Sequence, residues 1–453
     1  MANQWSNAAS IFDINSRPVT SALFLGLMFA IAVTAAPAAQ AQTLNVLHTF
    51  NGSPDGADPG PGLTASGATL YGTTEYGGNL ANCDGSCGTV FKIARSGSGW
   101  IETPIYKFTG VPDGANPMAR VIVGPDGALY GTTVMGGTGS CDIGSRGCGT
   151  VFKLQPPPTF CASFLCQWRA TILYSFASFA DGAWPEAELV FDQAGNIYGS
   201  TITGGTGPCS YGSYGGCGTI FKLTPNRNGS WSKSTLYSFQ GSPNDGAGPG
   251  SALVLDQAGN IYGTTAGGGL QCSEDSSCGV VFQLTPSGAE TILHFFTGGA
   301  DGSIPESGLI FDNHGNLFGA AAAGGQGIDG GNGTVFELTP AQGGGWNFSV
   351  EYTFDYYNGE ADGPGPLTMD TAGNIYGTSG GGGPYGGGTL YQLTPSNGGW
   401  SYSTLYSFGF GDGSQGFFPE GKIVLDAAGN LYSTCSQGPY PSPDDGTVWE
   451  LTP

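Results

Sequence analysis

Leu253–Gly269, LVLDQAGNIYGTTAGGG, is the stretch on which the reading of this 453-residue chain turns. By itself it admits three readings: a phosphate-cradling loop, a metal loop, or a turn between two strands. Recurrence separates them. The aromatic of its YGTT segment falls at Tyr71, Tyr130, Tyr198, Tyr262, Phe318, Tyr376 and Tyr432, at spacings of 56 to 68 residues. The aromatic of GTVFKL falls at Phe91, Phe152, Phe221, Phe282, Phe336, Tyr391 and Trp449. The last residue of LYSF falls at Phe50, Phe108, Phe176, Phe239, Phe296, Phe354 and Phe408. An Asp-Gly pair falls at Asp55, Asp113, Asp181, Asp245, Asp301, Asp362 and Asp412. Four landmarks, each repeated seven times in one order, mark a repeat architecture.

Each unit holds four strand candidates. In the fourth unit these are Ala252–Leu255, Asn260–Thr265, Gly279–Leu284 and Ala289–Phe296, joined by Gly, Pro, Asn and Asp. Four strands in about sixty residues, seven times over, predict an all-β, seven-bladed β-propeller of four-stranded antiparallel blades. In GTVFKLTP the Val and Phe point to opposite faces and both are apolar, as a blade packed between two others requires. The phase at the two ends adds a prediction. Thr43–Phe50, TLNVLHTF, reads as a fourth strand, and GTVWELTP at 446–453 reads as a third. Pairing the two would close the ring and cover an exposed edge. Residues 42–453 then form one propeller.

Composition sets limits on the rest. With 83 Gly but 39% hydrophobic and 12% aromatic residues, the chain is too apolar to be disordered. The glycines have no three-residue period, which excludes collagen. A net charge of −22 disfavours nucleic acid and anionic membranes. It suits a cation, a neutral or basic ligand, or solubility outside the cell.

The segment SRPVTSALFLGLMFAIAVTAAPAAQA runs from Ser16 to Ala41 and ends in an A-x-A signal. It predicts a signal peptide over 1–41, with a retained anchor as the alternative. No other segment is long and apolar enough to span a bilayer. The expected location is secreted, extracellular or periplasmic, and the expected state a monomer. Ten of 11 cysteines fall in close pairs: Cys83 with Cys87, Cys141 with Cys148, Cys161 with Cys166, Cys209 with Cys217 and Cys272 with Cys278, leaving Cys435 free. His48, His294 and His314 lie near none of the pairs, so local disulfides are preferred to zinc clusters.

In GTVFKLTP, TLYSF, the Asp-Gly-x-x-Pro turn and GNIYGTT followed by Gly-Gly, the chain resembles the glycine-rich extracellular repeat family called GloVer. The resemblance covers nearly all of the chain after the signal segment. It implies export, often with a C-terminal surface anchor, and no known activity. Because Pro453 follows a repeat directly, a free secreted or periplasmic protein is expected. A weaker likeness to kelch repeats rests on the Gly-Gly and on Trp100, Trp168, Trp231, Trp346 and Trp400 ahead of the fourth strand.

Candidate sites are weighed against scaffold roles. The DxAGN turns begin at Asp192, Asp256, Asp312, Asp370 and Asp426, with Gly124 in the corresponding place of the second unit. Repetition in register marks them as hairpin chemistry. The seven Asp-Gly carboxylates would ring one face. They could hold Ca²⁺ weakly, but capping of their own turns is the preferred reading, and no cofactor is required. The Gly/Cys loops between strands two and three share that face and diverge from unit to unit, as binding surfaces do. Tyr76, Tyr211, Tyr214, Tyr385 and Tyr440 lie in them, able to stack on a sugar or peptide. Glu186, Glu306 and Glu420 follow the turn proline in alternate units, with Glu188 nearby, and fall at the channel mouth. No His, Lys or Arg is tied to them. Nucleophile elbows and Walker loops are absent. The insertion QPPPTFCASFLCQW, 155–168, is expected on the opposite face as decoration. The predicted function is binding of an extracellular glycan or protein through one loop face. The alternatives are a polysaccharide lyase or hydrolase using the channel-mouth carboxylates, and a structural surface-layer component.

Overall fold

Val254–Leu255, Ile261–Thr265, Val280–Leu284 and Glu290–Phe295 pair antiparallel in chain order and form the blade of the fourth repeat. The computed structural model describes residues 42–453 apart from 80–82, 84–85, 142–145, 159–166, 212–213, 272–277, 326–330, 410–414 and 440–444. The predicted signal peptide lies outside the described residues. Seven such sheets make a seven-bladed propeller. The first blade has its inner strand split into Ala57–Pro59 and Thr64–Ser66, both paired with Thr69–Tyr76. Single 3₁₀ turns lie at Phe179–Asp181 and Tyr356–Asn358.

Thr43–Thr49 pairs antiparallel with Thr447–Thr452, from Thr43 opposite Thr452 to Thr49 opposite Thr447. The first strand of the propeller is therefore the outer strand of its last blade, as the phase of the repeat predicted.

The landmarks explain the packing. The YGTT glycine sits opposite the GTVF aromatic on the next strand of its blade, as Gly263 does opposite Phe282. A Cβ on Gly263 would meet the Phe282 ring at 2.7 Å, so only glycine leaves room for the ring to cross the strand. In the last blade Ser433 stands in this place, opposite Trp449. The same aromatic receives the LYSF phenylalanine of the preceding blade edge-to-face. Ring centroids are 5.1 Å apart for Phe50–Phe91 and for Phe239–Phe282, and 5.0 Å for Phe354–Tyr391. These rings are fully buried, and each such pair contributes about 0.5–1.5 kcal/mol beyond its area. The core is thus a series of inter-blade layers.

A second interlock lies nearer the loop face. The glycine that opens each third strand has a positive φ and abuts the turn proline of the next blade. Cβ atoms at Gly88, Gly279 and Gly446 would lie 2.6, 2.7 and 2.1 Å from Cδ of Pro117, Pro305 and Pro59. The residue before each proline is left-handed even when bulky: Trp184 has φ 60°, Ile304 58° and Phe418 58°. Such a conformation costs about 1–3 kcal/mol and persists only where surroundings hold it. Here the Trp184 and Ile304 N–H groups donate to the carbonyls of Cys148 and Cys278 on the preceding blade. Their own carbonyls accept from Ile202 and Ala322.

Disulfides join Cys83–Cys87, Cys141–Cys148 and Cys209–Cys217, as the spacing predicted. Cys278 is disulfide-bonded, while Cys272 lies outside the described residues. The fifth expected bond, between Cys161 and Cys166, is not among the described disulfides. Cys161 and Cys166 both fall in the part of the insertion, 159–166, that lies outside the described residues, so that pairing stays an expectation from spacing. Cys435 is free and buried, and burial pushes its thiol up. The carbonyls of Cys87, Cys148, Cys217 and Cys278 all accept an inter-blade N–H. Each of these bonds therefore steadies a blade seam as well as its own loop.

Candidate functional site

The DxAGN turns are hairpin chemistry. Asp256 accepts hydrogen bonds from the N–H groups of Ala258 and Asn260, from the Asn260 side chain and from the Tyr262 hydroxyl. Asp192, Asp370 and Asp426 repeat the pattern. In the second unit Asp126 substitutes by accepting from Ala128 N and Tyr130 Oη, and Gly124 makes room for the Tyr130 ring. LVLDQAGNIYGTTAGGG is therefore two strands joined by a turn, and neither a phosphate loop nor a metal loop.

The Asp-Gly carboxylates also face their own turns. Asp113 accepts from Tyr106 Oη at 3.0 Å and Thr109 N at 3.1 Å. Asp181 accepts from Tyr174 Oη, Ala177 N and Lys233 Nζ. Asp245 accepts from Tyr237 Oη and Gln240 N, and Asp301 pairs with His294 and Thr297 N. In the sixth unit the place is held by Glu360, which accepts from Tyr352 Oη and Asp355 N. Asp362 is displaced from the predicted ring and lines the central channel. In the seventh, the residue four before the proline is Gln415, whose carbonyl accepts from Thr447. Asp412 lies outside the described residues. The ring is thus neither seven aspartates nor unengaged.

These turns pack on the Gly-rich loops. Gly246–Ala247 pairs with Gly267–Gly268, and Gly114–Ala115 with Met135–Gly136. The two loop families share one face, as expected. On it Tyr76 is 44% and Tyr385 65% exposed, so both have surface to offer. Tyr211 and Tyr214 sit opposite each other in a two-residue ribbon. Tyr440 lies outside the described residues. Tyr356 and Tyr357, 43% and 65% exposed, add two aromatics that sequence reading passed over. They sit in DYYNG, where the chain between the LYSF phenylalanine and the turn acid is longer than in the first unit.

The central channel carries the densest chemistry. A cavity of about 650 Å³ is lined by inner-strand residues of all seven blades. A second, of about 630 Å³, lies toward the Gly-rich loops, and Glu186, Glu306 and Glu420 line both. Glu75 joins them at the second cavity and also lines a third of about 880 Å³ with Tyr76 and Trp184. Burial, then the charges of Glu75 and Glu306, pushes the Glu186 carboxyl up to about 7. Burial also raises Glu306 and Glu75, and it raises Glu420 together with the charge of Glu306. Hydrogen bonding to Glu75, with burial, pushes the Tyr76 phenol up to about 12.

Away from this cluster the channel holds an Arg120–Glu188 ion pair and a lysine. Arg120 grips Glu188 through two contacts of 2.6 Å, and its other arm donates to the Leu63 carbonyl at 3.1 Å. Lys422 lies beside them, buried, with its pKa pulled down by that burial. Glu188 is therefore tied to an arginine, contrary to the sequence reading. The partners lie in neighbouring blades, where no sequence spacing links them. Chemically, four carboxylates that share too little solvent to ionise together would gain from any cation brought among them.

The chain matches the Gloeobacter/Verrucomicrobia repeat over residues 26–273 and 206–449. No curated protein sequence matches it. Among solved structures it is similar to Pseudomonas fluorescens PhoX in complex with vanadate, at 10% identity and a TM-score of 0.45 over 91% of this chain and 95% of that one. It is similar to an oxidoreductase (glucose dehydrogenase) of Thermus thermophilus at 16% identity and a TM-score of 0.40, over 74% and 96%. A gluconolactonase of Xanthomonas campestris gives 13% identity and a TM-score of 0.36, over 77% and 98%. At these levels they bear on neither activity nor ligand.

Proposed function

The chain belongs to the Gloeobacter/Verrucomicrobia repeat family, and from that premise we infer that it is an extracellular binding propeller. Its ligand is a glycan or protein that approaches the Gly-rich loop face and places a cationic group at the channel mouth. The group is an amine, a guanidinium or a bound divalent ion. The observation that carries this reading is that Glu186, Glu306 and Glu420 line both channel cavities, with Glu75 beside them in the second. A cation there would offset their mutual repulsion, and Glu186 would give up its proton as the cation entered. Exposed Tyr76 and Tyr385 supply stacking surface around that anchor. Three defined disulfides, and the lack among the described residues of a helix long and apolar enough to cross a membrane, are compatible with secretion.

The test is a binding screen of the purified protein on glycan and basic-peptide surfaces, with and without Ca²⁺. Saturable binding that Glu186→Gln with Glu306→Gln weakens by ~10-fold or more, about 1.4 kcal/mol, supports the reading. Binding indifferent to both substitutions would move the site elsewhere. A second reading is favoured by one feature: a carboxyl at about 7 beside other acids is a suitable general acid for glycoside cleavage. Chain shortening of a polysaccharide, abolished by Glu186→Gln, would replace binding with hydrolysis or elimination.

A further inference from the structure

Each blade seam carries the same three positions: a ring two residues before the LYSF phenylalanine, the residue four before the following turn proline, and a side chain six residues before the next blade's phenylalanine. At most seams these make ordinary contacts. His294 bonds Asp301 at 3.0 Å, and the Phe348 ring stacks on His294 at 3.6 Å between centroids. Tyr237 bonds both Asp245 and Glu290. Tyr352 stacks on Tyr402. At the seam where the last blade meets the first, the positions are filled by His48, Asp55 and Glu102.

His48 Nε2 lies 3.0 Å from Asp55 Oδ2, and one donor atom from each of the three residues lies within 4.8 Å of the others. Glu102 Oε1 is buried and has no hydrogen-bond partner. A buried oxygen left unpaired costs about 1–3 kcal/mol, so the position calls for an occupant. We propose that His48, Asp55 and Glu102 form a site for a divalent first-row transition ion, Zn²⁺ foremost, that fastens the closing strand to the first blade.

One imidazole nitrogen and two carboxylates are a ligand set that zinc accepts, with a fourth position left for water. Two carboxylates balance the charge of a divalent ion in a half-buried place. Ca²⁺ is a poor fit, since it takes six to eight oxygens and disfavours imidazole. Tetrahedral ligands on zinc bonds of ~2.0–2.2 Å stand ~3.4 Å apart, so the long Glu102 side chain need shift only by about 1 Å. The ion would join three pieces of chain: the closing strand through His48, the first turn through Asp55 and the first blade's outer strand through Glu102.

The His294 seam supplies a built-in control. It has the His–Asp pair but Phe348 in the third place, and the proposal predicts that it binds no metal. The experiment is calorimetric titration of the purified protein, free of any histidine tag, with Zn²⁺ and with Co²⁺, alongside thermal melting. Expected are one ion per chain and a melting temperature raised by Zn²⁺. Glu102→Gln, which preserves shape, and His48→Gln should each weaken binding by more than ~100-fold, exceeding the loss from an outer-shell partner. They should also abolish the zinc-dependent shift. Phe348→Glu should raise the stoichiometry towards two. Failure of the wild-type protein to bind, or binding unchanged in Glu102→Gln, would overturn the site. Loss of channel-mouth ligand binding in Glu186→Gln would leave it untouched.

Discussion

Gly446 of the last blade and Pro59 of the first meet so closely that a Cβ at 446 would lie 2.1 Å from Pro59 Cδ. The contact repeats at every seam, which explains two landmarks at once: the glycine before TVF and the proline after Asp-Gly. Gly446→Ala should lose about 1 kcal/mol to its φ of +79° and a further ~1–3 kcal/mol to overlap with the ring. Gly67→Ala is the control, because Gly67 has a φ of +60° but nothing within 4 Å. Denaturant unfolding should separate the two variants by ~1–3 kcal/mol, and equal losses would discredit the interlock.

The closing strand should behave as part of the core. Phe50 is 1% exposed and lies edge-on to Phe91 in the first blade. Phe50→Ala is expected to cost ~3–5 kcal/mol. Deleting Thr43–Phe50 should lower the melting temperature further by baring the edge at Thr447–Thr452. A deletion that melts like the parent protein would rule out this closure.

Stability should fall as pH rises through neutrality. Burial lifts Glu186 to about 7 and Glu102 and Glu290 to about 8, from an ordinary 4.5. Between about pH 5 and 8 the folded chain therefore holds more protons than the unfolded one, and that excess makes stability decline with pH. At acid pH the turn carboxylates act oppositely. Burial alone would raise Asp192, Asp370 and Asp426, but bonds from Asn and Tyr outweigh it and hold them below 3.8. Their contribution is present above about 3.8 and is lost as pH drops through the folded values. Scanning calorimetry in the absence of added metal should find a maximum near pH 5. Glu102→Gln and Glu290→Gln should flatten the alkaline side. A melting temperature climbing steadily to pH 8 would contradict the assignment.

Asp256→Ala should separate scaffold from site. Removing an acceptor of four hydrogen bonds should cost ~1–3 kcal/mol. Ligand binding at the channel mouth should be unchanged once the variant is folded. A selective loss of binding without loss of stability would return the turn to the functional candidates.

The blades were legible because every repeat restates one local pattern. Phe282 and Gly263 announce their strands within a few residues, and seven statements average out local ambiguity. The turn acid was misplaced in the sixth unit because the Asp-Gly dipeptide was followed rather than the distance to the proline. Counting four residues back from Pro364 and Pro419 finds Glu360 and Gln415. What no count could find are pairings across seams. Arg120 meets Glu188, and Glu102 meets His48 and Asp55, only because of how the blades stack; the repeat sets each position but not which positions touch. Tyr356 and Tyr357 hid in a lengthened connection that the landmarks did not cover.

The pairing of Thr43–Thr49 with Thr447–Thr452 also fixes an order of events. Thr43–Thr49 precedes the whole ring in sequence, yet its partner belongs to the seventh blade. Six blades can assemble locally while Thr43–Thr49 waits, an unpaired edge next to a growing β-structure. Such a wait favours pairing with another molecule. The charged and polar side chains that alternate along the solvent side of the outer strands, with the net charge of −22, oppose that encounter until the ring shuts. Ring closure is thus a timing problem as well as a packing one, and the chain's own seventh blade is the partner that solves it.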